Sequence, residues 1–241
     1  GRELGGGCIN RAVQLTGDSG DYFVKINAAS RLDMFTAEAE GLAELAAARA
    51  LRVPAVICHG VAGGCAYLVL EFLELAGGDN RTPAQLGQGL AQLHRATLET
   101  FGWKHDNTIG STPQINTPSR DWIGFWREQR LGYQLELAAR HGLRGETGRR
   151  GRQLLAGLEG FFTDYRPAPS LLHGDLWGGN QAALADGTPV IFDPAVYYGD
   201  READLAMTEL FGAFSGHFYS AYRDAWPLDP GYPIRKTLYN L

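Results

Sequence analysis

The chain has 241 residues, with 22 basic and 27 acidic side chains and a formal charge of −5. Apolar types make up 44% and charged types 20%, a globular balance that excludes disorder, and the mild acidity offers no basic footprint for nucleic acid. The length is enough for a real core, in one large domain or two lobes.

Glycine is the outlier, at 32 of 241 residues, near twice the usual share of roughly 7%. Without a Gly-X-Y period the excess is not collagen; it must serve turns or close approaches of backbone. The three cysteines, Cys8, Cys58 and Cys65, are no disulfide framework and fit a reducing, cytoplasmic setting. The best apolar stretch, Cys65 to Leu70, ends at Glu71, too short to span a membrane, and no signal-peptide pattern is visible. The opening through Gly5-Gly6-Gly7 and the mid-pattern ending at Leu241 lead to the expectation of a chain trimmed at its ends, most clearly the C-terminal one.

Ala12 to Leu15 and Tyr22 to Ile26 are short β-type runs around the turn cluster Thr16 to Asp21, which predicts a hairpin. Residues 35–51 carry apolar side chains at 35, 39, 42, 45 and 46, the spacing of an amphipathic helix, with Pro54 beyond its end. Val56 to His59 and Ala66 to Phe72 read as two further strands. Gly77-Gly78-Asp79-Asn80 then offers a crossing to a second region. There, Thr82-Pro83 with Leu86, Leu90 and Leu93 signals a helix. Residues 101–120 read as a loop, 122–141 and 147–162 as helices, and Ser170–His173 and Val190–Phe192 as short strands. The stretch from Asp204 reads as helical, broken at Pro227 to Pro230. The expected architecture is α+β, with a β-rich region over 1–75 and a larger, mainly helical one over 76–241.

Lys25 lies inside the apolar run Phe23-Val24-Lys25-Ile26, where its ammonium needs a partner or a path to water. An outward-facing lysine explains an isolated case. The other reading is a phosphate ligand steadied by a carboxylate from the following helix, Glu38 being next to its buried side while Glu40 and Glu44 face solvent. Read alone, Gly5 to Gly7 is an ordinary turn, or main chain that approaches a phosphate. The densest constellation is His173-Gly174-Asp175-Leu176-Trp177-Gly178-Gly179-Asn180, followed by Ile191-Phe192-Asp193-Pro194. Each acidic group follows an apolar strand-like run, where catalytic groups tend to sit. One carboxylate can accept a hydroxyl proton. The Asn carbonyl and a second carboxylate are hard oxygen ligands suited to Mg²⁺. The set fits phosphoryl transfer.

His-Gly-Asp with Asn five residues after the Asp resembles the kinase-like phosphotransferases, including aminoglycoside and choline kinases. Gly6-Gly7-Cys8-Ile9-Asn10, the Trp177 variant of the loop, Asp193-Pro194-Ala195-Val196-Tyr197-Tyr198-Gly199, Arg201 to Met207, Phe101-Gly102-Trp103 and Asp106 to Gly110 resemble, more narrowly, the fructosamine kinase (ketosamine 3-kinase) family over nearly the whole chain. The resemblance implies a two-lobed protein-kinase-like fold. It places Gly6 and Gly7 over the ATP phosphates, Lys25 on the α/β-phosphates and paired with Glu38, and Glu71 and Leu73 at the hinge, meeting adenine through main chain. Asp175 would orient or deprotonate the sugar hydroxyl, and Asn180 and Asp193 would hold Mg²⁺. Asp193 is followed by Pro-Ala rather than Phe-Gly, which speaks against a protein-kinase activation switch.

The implied activity is ATP-dependent phosphorylation of the 3-hydroxyl of a ketosamine, on a glycated amine or protein, giving an unstable product and hence deglycation. An aminoglycoside- or choline-type acceptor, and a non-catalytic pseudokinase, are the alternatives. On the acceptor side, Trp177 is either a sugar platform or a core anchor. Asp200, Glu202 and Asp204 add negative charge nearby, one as a partner for the substrate's ammonium and another to brace the catalytic loop, with Asp204 favoured as the structural one; Asp106 and Asn107 either shape the pocket or are plain loop. Cys8 is either a redox-sensitive thiol beside the Gly loop or a small apolar filler. The expected partners are ketosamines or glycated proteins, with no nucleic acid or membrane, the chain acting as a monomer or weak dimer.

Overall fold

The computed structural model describes residues 1–4, 9–18 and 20–241. The amino-terminal region is one antiparallel sheet carrying one long helix. Its strands are β1 (Arg2–Leu4), β2 (Arg11–Gly17), β3 (Gly20–Ala28), β4 (Val56–Ala62) and β5 (Cys65–Glu71), in the order β1-β2-β3-β5-β4. The expected hairpin is β2–β3, with Ala12 opposite Lys25 and Val13 opposite Val24. Helix α1 (Leu32–Ala47) buries Phe35, Ala39, Leu42 and Leu45, the face its spacing predicts. It ends short of residue 51, where Arg49 takes φ +52°.

After β5 the chain passes Phe72 to Glu74, and the short strand β6 (Leu75–Ala76) already belongs with the second region, pairing with β10 (Gln181–Leu184). Helix α2 (Thr82–Leu93) buries Leu86, Leu90 and Leu93. Its Gly87 packs against the backbone of Phe218 in α7 (Gly216–Ala225). Residues 101–120, expected as loop, contain the hairpin β7 (Asn107–Ile109) and β8 (Thr112–Gln114). Three-residue strands are too short to show alternation.

The expected helix over 122–141 is α3 (Trp122–Trp126), a π-helical turn Arg127–Gly132 and α4 (Tyr133–Arg140) in continuous sequence. Asp121 caps α3, accepting from the main-chain N–H of Ile123 and Gly124, as an N-cap should. Helix α5 (Glu146–Ala156) gives way to a 3₁₀ turn at Leu158–Phe161. Strand β9 (Ser170–Leu172) pairs with β12 (Tyr197–Gly199), and β10 with β11 (Pro189–Ile191). Helices α6 (Arg201–Leu210) and α8 (Tyr232–Tyr239) are tied by the buried ion pair Arg235–Glu202 at 2.7 Å. No helix among the described residues is long and apolar enough to cross a membrane.

Candidate active site

A cleft of about 880 Å³ lies between the sheet and the second region, and Lys25, Glu38, Asp175, Asn180 and Asp193 all line it. Each arrives from a different element. Lys25 comes from β3, with its Nζ 2.5 Å from Glu38 Oε1 on α1 and 2.7 Å from Asp193 Oδ1 beyond β11. Burial works against the Lys25 charge, but the Glu38 and Asp193 carboxylates outweigh it and raise the ammonium to about 12. It stays a cation at any physiological pH. Burial pushes the Glu38 carboxyl up, and Lys25 pulls against it. Asp193 takes φ +58°, an uncommon conformation for a residue with a side chain, and its carboxylate is half exposed to the cleft.

Asp175 sits in the loop after β9, and that loop is held from beneath. Gly174 has φ +81°, and a Cβ there would meet the Ala195 carbonyl oxygen at 2.0 Å, so the turn requires glycine. The buried carboxylate of Asp204 on α6 accepts from the main-chain N–H of His173 at 2.7 Å and of Gly174 at 2.8 Å, and meets His94 Nε2 at 3.2 Å. Burial opposes its charge, yet these donors hold the carboxyl below its ordinary value. His173 is buried, and burial lowers its imidazole's affinity for a proton. With its Nε2–H donated to the Phe192 carbonyl at 3.0 Å, its Nδ1 accepts from the Asp175 N–H at 3.3 Å.

Asn180, in a 3₁₀ turn over Gly178–Asn180, donates through Nδ2 to the Asp175 carbonyl at 2.8 Å and to Asp175 Oδ2 at 3.1 Å. Its Oδ1 is thereby left as an acceptor. Burial pushes the Asp175 carboxyl up to about 6. The Asn180 bond pulls it down, while Asp204 and Asp193 push it further up. A carboxylate poised near neutrality is the profile of a general base. Asn180 Oδ1 and the Asp193 carboxylate give two hard oxygen donors, which fits Mg²⁺ completed by phosphate oxygens and water. Among the described residues, no cluster of three or more His, Cys, Asp or Glu forms an all-protein metal cage.

The remaining expected residues fall in different places. Glu71 and Leu73 line the cleft. The Glu71 carboxylate is turned onto Arg52 and the Ala55 N–H, so it is engaged away from a ligand. Trp177 lines the cleft, is 38% exposed, and meets Phe211 edge-on at 5.9 Å. It is not a core anchor. Its ring lies over Gly179, where a Cβ would stand 2.3 Å from it.

Asp200 does not face the acceptor. It is fully buried, caps α6 through the Glu202 N–H, and accepts from Tyr165 and Tyr239 hydroxyls at 2.8 and 2.6 Å. Asp106 is outside the cleft wall and accepts from the Asn116 N–H. Asn107 reaches the wall, but its amide is engaged inward with the Val196 carbonyl, Gln114 and Asn116. Glu40 and Glu44, expected at solvent, are engaged too. Glu40 meets Lys104 and His105, and Glu44 accepts from Trp103 Nε1 and Tyr198 hydroxyl. Gly6, Gly7 and Cys8 lie outside the described residues. Sequence reasoning missed His94; a lone histidine on an apolar helix carries no signal of its own.

A five-stranded sheet with one helix, a cleft, a Lys–Glu pair and an Asp–Asn loop beneath it define a phosphotransferase of the protein-kinase-like fold. An aminoglycoside phosphotransferase solved with ADP and hygromycin B shares that fold at TM-score 0.67 and 18% identity, over 99% of this chain and 82% of that one. A sequence model of the fructosamine kinase family matches residues 1–241, and the chain belongs to that family. It is 49% identical to a probable ketoamine kinase of Synechocystis, over 100% of this chain and 81% of that protein. It is 44% identical to the chloroplastic protein-ribulosamine 3-kinase of Arabidopsis thaliana, over 99% and 73%. A Haemophilus somnus structure assigned to fructosamine-3-kinase superposes at TM-score 0.91 with 33% identity, over 99% of this chain and 80% of that one.

Proposed function

We propose that the protein transfers the γ-phosphoryl group of ATP to the 3-hydroxyl of a ketosamine, a step in removing sugar from glycated amines. One observation carries the chemistry: Asp175, Asn180, Asp193 and Lys25 converge on a single cleft, with the Asp175 carboxyl pushed up to about 6. The family supports the acceptor class, since its curated relatives are ketoamine and ribulosamine kinases.

Asp175 accepts the proton of the attacking sugar hydroxyl, while Asn180 fixes the orientation of its Oδ2. Lys25, held charged by Glu38 and Asp193, binds the nucleotide phosphates as a point charge. Asn180 Oδ1 and Asp193 would hold Mg²⁺, which when bound supplies charge neutralisation on the phosphates. The main chain of Glu71 and Leu73 meets the adenine. Trp177 offers an indole face to the sugar.

The test is an acceptor panel. ATP consumption is followed with a fructosyl-amine, a ribulosyl-amine, an aminoglycoside and choline, each with and without Mg²⁺, and the product is located by phosphorus NMR. Mg²⁺-dependent phosphorylation of the amine sugars alone is the expected result. Transfer only to the aminoglycoside or to choline moves the protein to the corresponding sister class. No turnover with any of them makes it a binding protein.

A further inference from the structure

Helix α1 carries Glu38, Gly41 and Glu44 three residues apart, so the three lie in one row along its surface. All three meet one short run of the second region. Glu38 holds Lys25, whose Nζ reaches Asp193 Oδ1 at 2.7 Å. At Gly41 a Cβ would stand 3.1 Å from Val196 Cγ2 and 3.8 Å from Pro194 Cγ, so the helix backbone packs directly on those side chains. Glu44 accepts from the Tyr198 hydroxyl on Oε1 and from Trp103 Nε1 on Oε2, both at 2.8 Å. Positions 38, 41 and 44 of the helix thus follow 193, 194–196 and 198 in order.

The same run is bonded to the catalytic loop. The Ala195 N–H donates to the His173 carbonyl at 2.9 Å, and Tyr198 exchanges main-chain bonds with Gly102 at 2.8 and 2.9 Å. The Ala195 and Val196 carbonyls accept from Gln114 and Asn107. The run therefore has little freedom of its own. Among the acids of α1 that reach the second region, Glu44 makes the strongest tie. Its donors Trp103 and Tyr198 are 4% and 6% exposed, and hydrogen bonds to a charged acceptor are the strong kind. Burial first, and then the Glu44 carboxylate, push the Tyr198 phenol well above its ordinary value, so it remains a donor at any physiological pH. Glu40 also reaches across, to Lys104 and His105, but those side chains are 51% and 37% exposed, and surface pairs contribute little.

We propose that Gly41 and Glu44 are positioning residues for phosphoryl transfer: they seat α1 on the 194–198 run, and that seat sets where the Lys25 ammonium stands relative to the Asp193 carboxylate. Gly41 supplies the close approach, and Glu44 fixes the helix along its length. Neither touches the nucleotide; both act through Glu38, Lys25 and Asp193. The inference rests on the reading of the cleft as a site for nucleotide and Mg²⁺.

The test compares wild type with Glu44→Ala, Glu44→Gln and Gly41→Ala. ADP binding is measured by calorimetry with and without Mg²⁺, and kcat and KM are taken with ATP and a fructosyl-amine, well below each melting temperature. Glu44→Ala is expected to lose at least about tenfold in kcat, since a misplacement of roughly 1 Å can cost about 10²-fold. It also loses severalfold of the affinity that Mg²⁺ adds for ADP, while KM for the acceptor holds. Glu44→Gln keeps an oxygen for Trp103 Nε1 and an NH₂ group that the Tyr198 oxygen can accept, and it restores most of both. Gly41→Ala removes a helix glycine, which favours the helix, yet presses on Val196. Its melting temperature holds or rises while the same two quantities fall. Unchanged kcat and an unchanged Mg²⁺-dependent gain in both alanine variants, whatever their melting temperatures, overturn the proposal. Glu44→Gln as impaired as Glu44→Ala overturns the hydrogen-bonded seat. No Mg²⁺-dependent ADP binding by the wild type overturns the nucleotide reading and the inference with it. Loss of that gain in the alanine variants, with no turnover of the fructosyl-amine by any form, supports the seat and overturns the ketosamine reading alone.

Discussion

Lys25 Nζ lies 2.7 Å from Asp193 Oδ1, although 168 positions separate the two residues. The contact joins the sheet to the loop after β11 across the cleft. It also engages a carboxylate that the backbone presents at φ +58°. Lys25→Met removes the cation from both Glu38 and Asp193. Loss of a preorganised charge on the phosphates is expected to lower kcat/KM by at least roughly 10²-fold. Breaking a largely buried pair is expected to cost about 3–5 kcal/mol of stability. Adding Glu38→Gln removes the stranded carboxylate, so the double variant recovers stability without recovering activity. Urea melts and ATP turnover on the same samples check both halves. A double variant no more stable than Lys25→Met removes this account of the pair.

Asp175 connects catalysis to pH-dependent stability. In its proposed role as acceptor of the hydroxyl proton, it is expected to contribute roughly 10²–10⁴-fold to kcat, so Asp175→Asn loses that factor while nucleotide affinity holds. The same carboxylate destabilises the free protein. Its folded value of about 6 stands above an unfolded value near 3.9, so the folded state favours the proton. Its favourable contribution is full below about pH 4 and is lost as pH rises through about 6. Thermal melts without nucleotide or metal should therefore show Asp175→Asn more stable than wild type at pH 7.5, with the gain shrinking as pH falls toward 5. A constant difference across that range would mean that Asp175 is not shifted.

What the sequence disclosed of this site was local. Asp175, Asn180 and Asp193 stand in two short runs after apolar strands, and Lys25 is conspicuous because an ammonium interrupts β3. Long helices showed by period, as α1 did through Phe35, Ala39 and Leu42. The hidden parts depend on partners far along the chain. Asp200 is acidic and close in sequence to the loop, which suggests a substrate contact, yet two tyrosine hydroxyls, from residues 165 and 239, engage it in the interior. The helical spacing puts Glu44 toward solvent, and its partners are Trp103 and Tyr198. Strands β6, β7, β8 and β12 are two or three residues long, too short for alternation to register.

Gly174 and Gly178 give a paired test of where this loop depends on glycine. At Gly174 a methyl group would meet the Ala195 carbonyl oxygen at 2.0 Å, in a backbone with φ +81°. The left-handed conformation costs roughly 1–2 kcal/mol with a side chain, and overpacking typically adds about 1–3 kcal/mol. Gly174→Ala is thus expected to lose about 2–5 kcal/mol in urea melts and to depress kcat, because Asp175 is the next residue. At Gly178 an added Cβ meets nothing within 4 Å, so Gly178→Ala should stay within about 0.5 kcal/mol. Equal effects at the two positions would contradict the close approach to Ala195.

Asp204 tests whether the loop's scaffold can be separated from its chemistry. Its carboxylate is buried and accepts from the His173 and Gly174 N–H groups, with His94 alongside. In Asp204→Asn an amide NH₂ replaces one acceptor, leaving a main-chain N–H facing a donor. The expected cost is roughly 1–3 kcal/mol, and kcat falls through the displaced Asp175 while KM for ATP moves little. The pH dependence carries the opposite sign from that of Asp175. The carboxyl is held below its ordinary value in the folded state, so its contribution is present above the unfolded value near 3.9 and is lost as acid protonates it. The stability gap between wild type and Asp204→Asn should therefore stay level from pH 8 to 5 and narrow below about 4. A gap that instead widens with acid would show that the carboxylate is not stabilising this loop as a charged acceptor.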